Sequence, residues 1–410
     1  MSVQDNFMKI DYKALAEKYG TPLYMYDFDY ISNRYTTLKD AFAGKKSIIN
    51  YAVKANSNLS VIAHLARLGA GADCVSIGEV RRALEAGVDK YKIIFSGVGK
   101  RDDEIREALK NDILLLNLES EAEMQRVELV AKELNKKARI SIRVNPNIDP
   151  QTHPYISTGL HENKFGVELD MAKRMYIFAN KSEFLDPIGI HFHIGSQLTK
   201  LEPIREACMI VADLVRSLKA IKIDIKFFDV GGGIGVVYSD EVTISETAYT
   251  QAIFEATKGL DVTLLCEPGR YMVANAGAFF TKVLYEKANS DKRFVIVDGA
   301  MNDLLRPSLY NAYHKIEAVM VEGEKTSADV VGPVCESGDF LGKGVQLPAL
   351  NHNDLLIVHS AGAYGFTMAS NYNTRGKSAE VALEGGNDRL IRKRETYEDQ
   401  VRLEREFLIK

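Results

Sequence analysis

The stretch "SIINYAVKANSNLSVIAHLARLG", residues 47–69, combines the two hydrophobic periods that decide the fold class. Its first part is a short apolar run rich in β-branched residues, which is typical of a buried strand. Its second part places apolar residues at i, i+3 and i+4 and ends in a glycine, as an amphipathic helix does. The stretch therefore predicts one strand–helix unit, with a cation, Lys54, at the end of the strand.

The same unit recurs along the first two thirds of the chain. The predicted strands are SIINYAVKA, ADCVSI, KIIFSG, ILLLNLES, ARISIRVNP, PIGIHFHIGS, KFFDVGGG and DVTLLCEPGR. Eight strand–helix units of this length predict a (β/α)8 TIM barrel, in which functional residues lie at the carboxyl ends of the strands. An open doubly wound sheet is the alternative, because periodicity does not show closure.

After about residue 275 the predicted strands follow one another without long helices. They are RFVIVDGA, KIEAVMV, SADVVGPV, DLLIVHSAG and ETYEDQVRLE, and the early TPLYMYD could add one more. This pattern predicts a β-rich domain, antiparallel or mixed. We therefore expect an N-terminal segment joining the β domain over residues 1–30, the barrel over 31–275 and the C-terminal β domain over 276–410.

Composition narrows the class of function. The 410 residues are 46% apolar and carry a net charge of −4 with no basic face, which disfavours nucleic acid and membrane surfaces as partners. The four cysteines form no CxxC pair, the N-terminus has no apolar signal segment, and no apolar run approaches the roughly 18 residues that span a bilayer. We expect a cytoplasmic protein with reduced thiols that acts on small molecules.

Two histidines alternate in GIHFHIGSQ, residues 189–197, so His191 and His193 are expected on one face of a strand. They could ligate zinc, but no third His or Cys with ligand spacing accompanies them, and we expect no metal. An imidazole at a barrel mouth can instead stack on an aromatic ring, and Ser196 could then bond a phosphate.

A glycine run, DVGGGIG at residues 229–235, follows a predicted strand. It is not a dinucleotide fingerprint, because Val236 stands where the third glycine belongs. Consecutive glycines expose backbone N–H groups in a concave nest that suits a phosphate. The alternative is a tight turn that needs positive φ.

Four further charged or reactive residues are candidates for a functional site. Lys54 could snorkel to water, and Glu267 and Arg270 of LLCEPGRYM could form a surface ion pair. Alternatively, Arg270 binds an anion and Glu267 a protonated nitrogen of one ligand. Cys335 in GPVCESGDF lies outside any apolar strand and could donate or accept a proton. An amine, a stacking ring, a phosphate nest and a carboxylate together are what pyridoxal phosphate needs.

At this point the chain resembles the alanine-racemase-like, fold type III pyridoxal-phosphate decarboxylases over nearly its whole length. The motifs that carry the resemblance are YAVKAN, HPYISTG, ENKFG, HFHIGSQ, GGGIG, EPGR, RPSLY, CESGD, AGAYG and RETYED. HPYISTG, RPSLY and CESGD together are similar to the diaminopimelate branch. The resemblance implies a homodimer that decarboxylates meso-2,6-diaminopimelate to L-lysine, the last step of lysine biosynthesis, with pyridoxal 5'-phosphate as cofactor.

The resemblance also implies a role for each matching residue. Lys54 would hold the cofactor, His193 would stack on its ring and Glu267 would pair with the ring nitrogen. Cys335 would donate the proton, supplied in trans to the other subunit together with Glu336. The other residues implied at the cofactor are Asp73, Ser196, Gly231, Gly232, Gly233, Pro268, Gly269, Arg270 and Tyr364. Those implied at the substrate are Arg270, Arg306, Tyr310, Glu336 and Tyr364.

Two other functions remain as alternatives. A related decarboxylase could act on arginine, ornithine or carboxynorspermidine, although Arg306 and Glu336 argue against simple diamine precursors. A cofactor-binding protein without catalysis should have lost Lys54 or Cys335, and the chain has both.

Overall fold

The computed structural model describes residues 10–149, 164–290 and 292–409. The motif HPYISTG, residues 153–159, and the start of ENKFG lie outside these described residues. The described chain divides into two compact units. The barrel unit holds residues 32–236 and 241–272, and the β unit holds the chain up to Ile31, Val237–Asp240 and the chain from Val273 onward.

The barrel unit is built on a closed parallel sheet. The first strand of the chain, β1 (Leu23–Asp27), belongs to the β unit. The barrel strands follow in chain order: β2 (Ser47–Ala52), β3 (Gly71–Cys74), β4 (Ile93–Phe95), β5 (Leu115–Leu118), β6 (Ala138–Arg143), β7 (Leu185–His191), β8 (Phe227–Asp229) and β9 (Thr263–Cys266). Closure is direct, because β2 pairs with β9 and Ile48 lies opposite Leu265. The predicted (β/α)8 barrel is confirmed, and the open sheet is excluded.

Helices follow the barrel strands and begin and end as their sequences predict. α1 (Tyr12–Tyr19) and α2 (Phe28–Ala41) precede the barrel strands. The remaining helices of this part of the chain are α3 (Leu59–Leu68), α4 (Ile77–Glu85), α5 (Asp102–Asn111), α6 (Glu121–Glu133), α7 (Leu169–Lys181), α8 (Glu202–Ala220), α9 (Glu246–Ala256) and α10 (Arg270–Val273). In α3 the Asn58 side chain accepts from Ser60 N–H at the start, and Gly69 at φ +102° ends the helix.

An apolar cluster joins four of the barrel strands. It contains Ile94, Leu114, Leu115, Ile188 and Leu265, all buried. Each side chain of this kind contributes about 1.5–3 kcal/mol when it is fully buried. The cluster therefore helps to hold β4, β5, β7 and β9 together.

The β unit contains one mixed sheet of nine strands. Its other strands are β10 (Gly277–Asn289), β11 (Lys292–Val297), β12 (Ile316–Ala318), β13 (Thr326–Val331), β14 (Phe340–Leu347), β15 (Leu355–Val358), β16 (Ala379–Glu384) and β17 (Asn387–Arg392). Two short helices, α11 (Arg306–Tyr310) and α12 (Tyr397–Val401), also lie in this unit. β1 pairs antiparallel with β10 and parallel with β16, which confirms that the early strand joins this sheet.

One predicted strand of the β unit is wrong. Within ETYEDQVRLE, residues 397–401 form α12. Thr396 accepts from Asp399 N–H while the Asp399 carboxylate accepts from Thr396 N–H, a reciprocal cap that starts a helix. Four further strands, β10, β14, β16 and β17, were not predicted from the sequence. Among the described residues, no helix has the length and apolar character needed to cross a bilayer.

Candidate active site

Polar side chains gather at the carboxyl ends of the barrel strands, as the fold class predicts. The residues in or just after β2 to β9 are, in order, Lys54, Asp73, Ser96, Glu119, Arg143, His191, Asp229 and Glu267. Lys54 lies in the single turn of 3-10 helix, Val53–Ala55, that follows β2.

Lys54 is paired with a buried carboxylate. Its Nζ donates to Asp73 Oδ2 at 2.8 Å, and the Asp73 side chain is fully buried. Ser96 Oγ donates to Asp73 Oδ1 at 2.9 Å, and Asn117 Nδ2 donates to Ser96 Oγ at 3.1 Å. Burial and the charge of Glu267 raise the pKa of Asp73, against the opposing effect of the Lys54 ammonium. This chain of bonds across β2 to β5 fixes the amine, so Lys54 does more than extend to water.

His193 presents a neutral imidazole. β7 ends at His191, so His193 lies beyond the strand, where its Nδ1 accepts from Gly232 N–H at 3.2 Å. Burial and the nearby cations Arg143 and Lys54 lower the pKa of His193 well below its usual value. Because His191 contacts Glu267 instead, the two histidines have different partners. A neutral ring fixed at one nitrogen is suited to lie against another aromatic ring.

The glycine run packs three strand ends tightly together. A Cβ on Gly231 would lie 2.5 Å from Phe192 O, and one on Gly232 would lie 2.2 Å from Glu267 O. Gly231 and Gly233 also have φ of +65° and +113°. Gly231 N–H donates to Asp229 Oδ1 at 2.9 Å. The glycines are thus required both for the turn and for the close approach of β8 to the segments that follow β7 and β9.

A buried guanidinium and a hydroxyl lie together after β7 and β9. Arg270 donates from Nε and NH2 to Ser196 Oγ at 3.3 and 3.2 Å, and Arg270 is 7% exposed. The Pro268 carbonyl accepts from Ala52 N–H at 3.1 Å, and a Cβ on Gly269 would lie 3.0 Å from the Ala52 Cβ. The turn therefore packs on the end of β2 and positions Arg270. Such a pair of donors suits a phosphate.

Glu267 is a buried carboxylate, and only one of its two oxygens has a hydrogen-bond partner among the described residues. Its Oε2 lies 3.2 Å from His191 Nε2, while Oε1 is buried and has no hydrogen-bond partner among the described residues. Burial alone would raise its pKa, but His191 and Lys54 lower the pKa of Glu267 to about 2. A buried acceptor without a donor is costly. The protonated ring nitrogen of pyridoxal phosphate would supply that donor, so the residues present fit this cofactor.

A buried ion pair at the same strand ends was missed by the sequence analysis. Arg143 NH1 lies 2.9 Å from Glu119 Oε1, with both side chains buried, and Arg143 NH2 donates to the His193 carbonyl at 3.4 Å. Glu119 Oε2 accepts from Gly166 N–H at 2.6 Å, and the guanidinium lies 4.7 Å from the Phe165 ring. The arginine closing the apolar run ISIR was the available signal. The ion pair therefore holds the backbone at His193 through the bond from Arg143 to the His193 carbonyl.

In the β unit, Arg306 is held in a fixed position. It begins α11, is 7% exposed and places NH1 2.9 Å from His314 Nε2. His314 Nδ1 lies 2.9 Å from the His359 carbonyl, so Nδ1 carries the proton and Nε2 accepts from Arg306. The Arg306 guanidinium also lies 4.9 Å from the centroid of the Tyr238 ring. Tyr310 is the last residue of the same helix.

The other predicted residues of the β unit lie in loops. Cys335 and Glu336 are exposed, in a turn where Cys335 N–H donates to Asn373 Oδ1 at 3.0 Å. Asp339 braces this turn by accepting from Val334 N–H at 2.7 Å. Tyr364 has φ of +57°. The predicted site residues divide between the two units. The barrel unit brings together Lys54, Asp73, His193, Ser196, Gly231, Gly232, Gly233, Glu267, Pro268, Gly269 and Arg270, and the β unit holds Arg306, Tyr310, Cys335, Glu336 and Tyr364.

Known proteins are similar to nearly the whole chain. Residues 28–274 match the family model of the pyridoxal binding domain of pyridoxal-dependent decarboxylases. Diaminopimelate decarboxylase of Campylobacter jejuni is 60% identical over 400 residues, covering 97% of this chain and 100% of that protein.

Solved structures agree with this match. A crystal structure of diaminopimelate decarboxylase from Helicobacter pylori, complexed with L-lysine, has a TM-score of 0.95 at 56% identity and covers 97% of this chain and 100% of that one. The structure from M. jannaschii in complex with L-lysine has a TM-score of 0.91 at 37% identity, covering 97% and 94%. The chain therefore belongs to the diaminopimelate decarboxylase family of pyridoxal-dependent decarboxylases.

Proposed function

We propose that this protein decarboxylates meso-2,6-diaminopimelate to L-lysine and CO2 with pyridoxal 5'-phosphate as cofactor. The observation that carries the proposal is the barrel mouth. There an amine on a buried carboxylate, a neutral imidazole and a buried carboxylate with one uncommitted oxygen occur in one unit. The same chain is 60% identical to a diaminopimelate decarboxylase.

The barrel residues divide the work of holding the cofactor. Lys54 would anchor the cofactor, His193 would lie against its ring, Glu267 would accept from the ring nitrogen, and Ser196 and Arg270 would bind the phosphate. The supporting barrel residues are Asp73, Gly231, Gly232, Gly233, Pro268 and Gly269, and Tyr364 of the β unit is also assigned to the cofactor. When bound, pyridoxal phosphate supplies an aromatic ring that accepts the electron pair left when CO2 departs.

Glu267 and His193 set the electrostatics of the barrel mouth. Glu267 is ionised, since its pKa is held at about 2, and its charge favours a proton on the ring nitrogen. His193 is neutral, so it brings no competing positive charge to the ring. Asp73 holds the Nζ of Lys54 at 2.8 Å. Cys335 donates from Sγ the proton that replaces the lost carboxylate.

The substrate is recognised at its distal end, which carries both a carboxylate and an ammonium. Arg306 and Arg270 bind that carboxylate, and Glu336 binds the ammonium. Tyr310 and Tyr364 complete the contacts. Lysine and ornithine give the buried Arg306 no anion, and sites built around such a group reject analogues that lack it by about 10⁴-fold.

The protein works as a homodimer in which Cys335 and Glu336 complete the site of the other subunit. The exposure of both residues supports this arrangement. Mixing Lys54→Ala with Cys335→Ala protein under conditions of subunit exchange tests it. Activity should return to about a quarter of the parent's, because half the dimers are mixed and each has one intact site. No recovery in dimers shown to exchange would exclude sharing in trans.

The substrate proposal is tested with the cofactor-loaded protein and separate solutions of meso-, LL- and DD-diaminopimelate, arginine and ornithine. Released CO2 and the amine product are measured. We expect CO2 and L-lysine from the meso compound. Release from arginine or ornithine but not from meso-diaminopimelate would overturn the proposal.

A further inference from the structure

Asp229 ends β8 in contact with the active site, and none of the roles above uses it. Its side chain is buried, with Oδ1 accepting from Gly231 N–H at 2.9 Å. Oδ2 is buried and has no hydrogen-bond partner among the described residues. One nitrogen or oxygen from each of His191, Asp229 and Glu267 lies within 4.8 Å of the other two. Two buried carboxyl groups thus lie close together.

Both carboxyl groups cannot be ionised at this separation, because desolvation and mutual repulsion add. Glu267 is the one that stays charged, since it contacts His191 and is attracted by Lys54. Burial raises the pKa of Asp229 well above the usual range, and the charges of Glu267 and Asp73 raise this pKa further. The proton therefore belongs to Asp229.

A single proton on Asp229 accounts for the two buried carboxylate oxygens that have no hydrogen-bond partner among the described residues, Oδ2 of Asp229 and Oε1 of Glu267. A neutral Asp229 has an O–H to donate, and a carboxylate oxygen of Glu267 lies within 4.8 Å of one of its oxygens. A carboxylate has about four lone-pair sites, so Glu267 can accept from His191, Asp229 and a cofactor nitrogen at once. Each added donor also fixes the orientation of the Glu267 carboxylate.

We propose that Asp229 is a neutral acid that donates a hydrogen bond to Glu267, and that Asp229 and His191 together position Glu267 for the cofactor ring nitrogen. Asp229 is a positioning residue in this scheme. The inference rests on the role given to Glu267 in the proposed function.

Two substitutions separate a neutral donor from an anion. Asp229→Asn keeps the acceptor for Gly231 N–H and a neutral donor toward Glu267, whereas Asp229→Leu removes both and keeps the branch at Cγ. The measurements are the dissociation constant of pyridoxal phosphate and the pH dependence of the visible absorption of the bound cofactor, without substrate. Asp229→Ala replaces the leucine variant if that one fails to fold.

We expect Asp229→Asn to bind the cofactor within about threefold of the parent and Asp229→Leu to bind it at least about tenfold more weakly, since a hydrogen bond to a charged group is lost. The loss of cofactor affinity in the leucine variant should grow as the pH falls, because Glu267 takes up a proton more easily when Asp229 no longer donates a hydrogen bond to it. The visible absorption of the cofactor bound to the leucine variant should change over a pH range in which the asparagine variant and the parent have the same absorption.

Equal dissociation constants for pyridoxal phosphate in the asparagine and leucine variants would overturn the proposal. Tighter binding of pyridoxal phosphate in both variants would also overturn it, because an ionised Asp229 predicts that result. His64→Gln is the matched control: His64 is buried in α3, bonded to Ser32 Oγ, and should leave cofactor binding at the parent value. Cofactor binding by Glu267→Gln equal to the parent's would remove the basis of the inference. A wrong substrate would leave all these results unaffected, so the two failures are distinguishable.

Discussion

Gly232→Ala should damage the active site while it leaves the fold in place. The new Cβ would lie 2.2 Å from the carbonyl oxygen of Glu267, whereas ordinary contacts begin at 3.4 Å. One backbone must therefore retreat by about 1 Å, and a displacement of that size costs about 100-fold in turnover. The overpacking itself should cost about 1–3 kcal/mol of stability. The displaced backbone carries Glu267, so the loss should appear in kcat more than in KM.

Gly99→Ala is the matched control for this substitution. Gly99 is in the same unit, and a Cβ there meets nothing within 4 Å. The assay is steady-state CO2 release from meso-diaminopimelate, with urea unfolding of the same preparations. Gly232→Ala activity within about threefold of the Gly99→Ala value would refute the close-packing argument.

Three other substitutions follow from single contacts. His314→Ala removes the acceptor of Arg306 NH1, so KM for meso-diaminopimelate should rise about tenfold in steady-state assays, and a loss confined to kcat would contradict the positioning of Arg306. His193 has a lowered pKa, so only the unfolded chain takes up its proton: stability is greatest above about pH 6.5 and falls below it by up to about 1.4 kcal/mol per pH unit. Urea unfolding at several pH values measures this effect. The free energy of unfolding should change less per pH unit in His193→Phe than in the parent, and equal changes would refute the prediction. Lys100→Met leaves the buried Glu123 carboxylate without its ammonium partner and should lower the free energy of unfolding by about 3–5 kcal/mol in the same assay. Most of this loss should be recovered in Lys100→Met/Glu123→Leu. An unchanged free energy of unfolding in Lys100→Met would contradict the prediction.

The barrel could be predicted from the sequence because its strands have a local signature. Each is a short apolar run that ends in a polar residue, so strand identity and strand direction are read together. Lys54, His193 and Glu267 were placed on one rim for that reason alone. Their burial and their hydrogen bonds follow from closure, which pairs β2 with β9 and which no local pattern encodes.

Partners within the site were harder to predict, because they are far apart in the chain. Lys54 and Asp73, Arg143 and Glu119, and Asp229 and Glu267 all meet across neighbouring strands, and the order of the strands around the barrel is not written in any local pattern. Aspartate before a glycine run was a visible signal, yet a turn explains it equally well. Only the burial of its second oxygen gives it a role.

In the β unit, local turn signals were overlooked or outweighed. The strand pair β16 and β17 is joined at Gly385 and Gly386, both with positive φ, and two glycines between apolar runs are a hairpin signal. In RETYED, the β-branched and aromatic residues suggested a strand, but the cap formed by Thr396 and Asp399 starts a helix instead. The capping bonds outweigh side-chain propensity where the segment is exposed.

Borohydride reduction of the cofactor-loaded protein, followed by peptide mapping, tests most directly whether the barrel mouth is the cofactor site. The account predicts one phosphopyridoxyl group per chain, on the peptide that contains Lys54, and none on Lys54→Ala protein. Labelling of a different lysine, with Lys54 unmodified, would contradict the account.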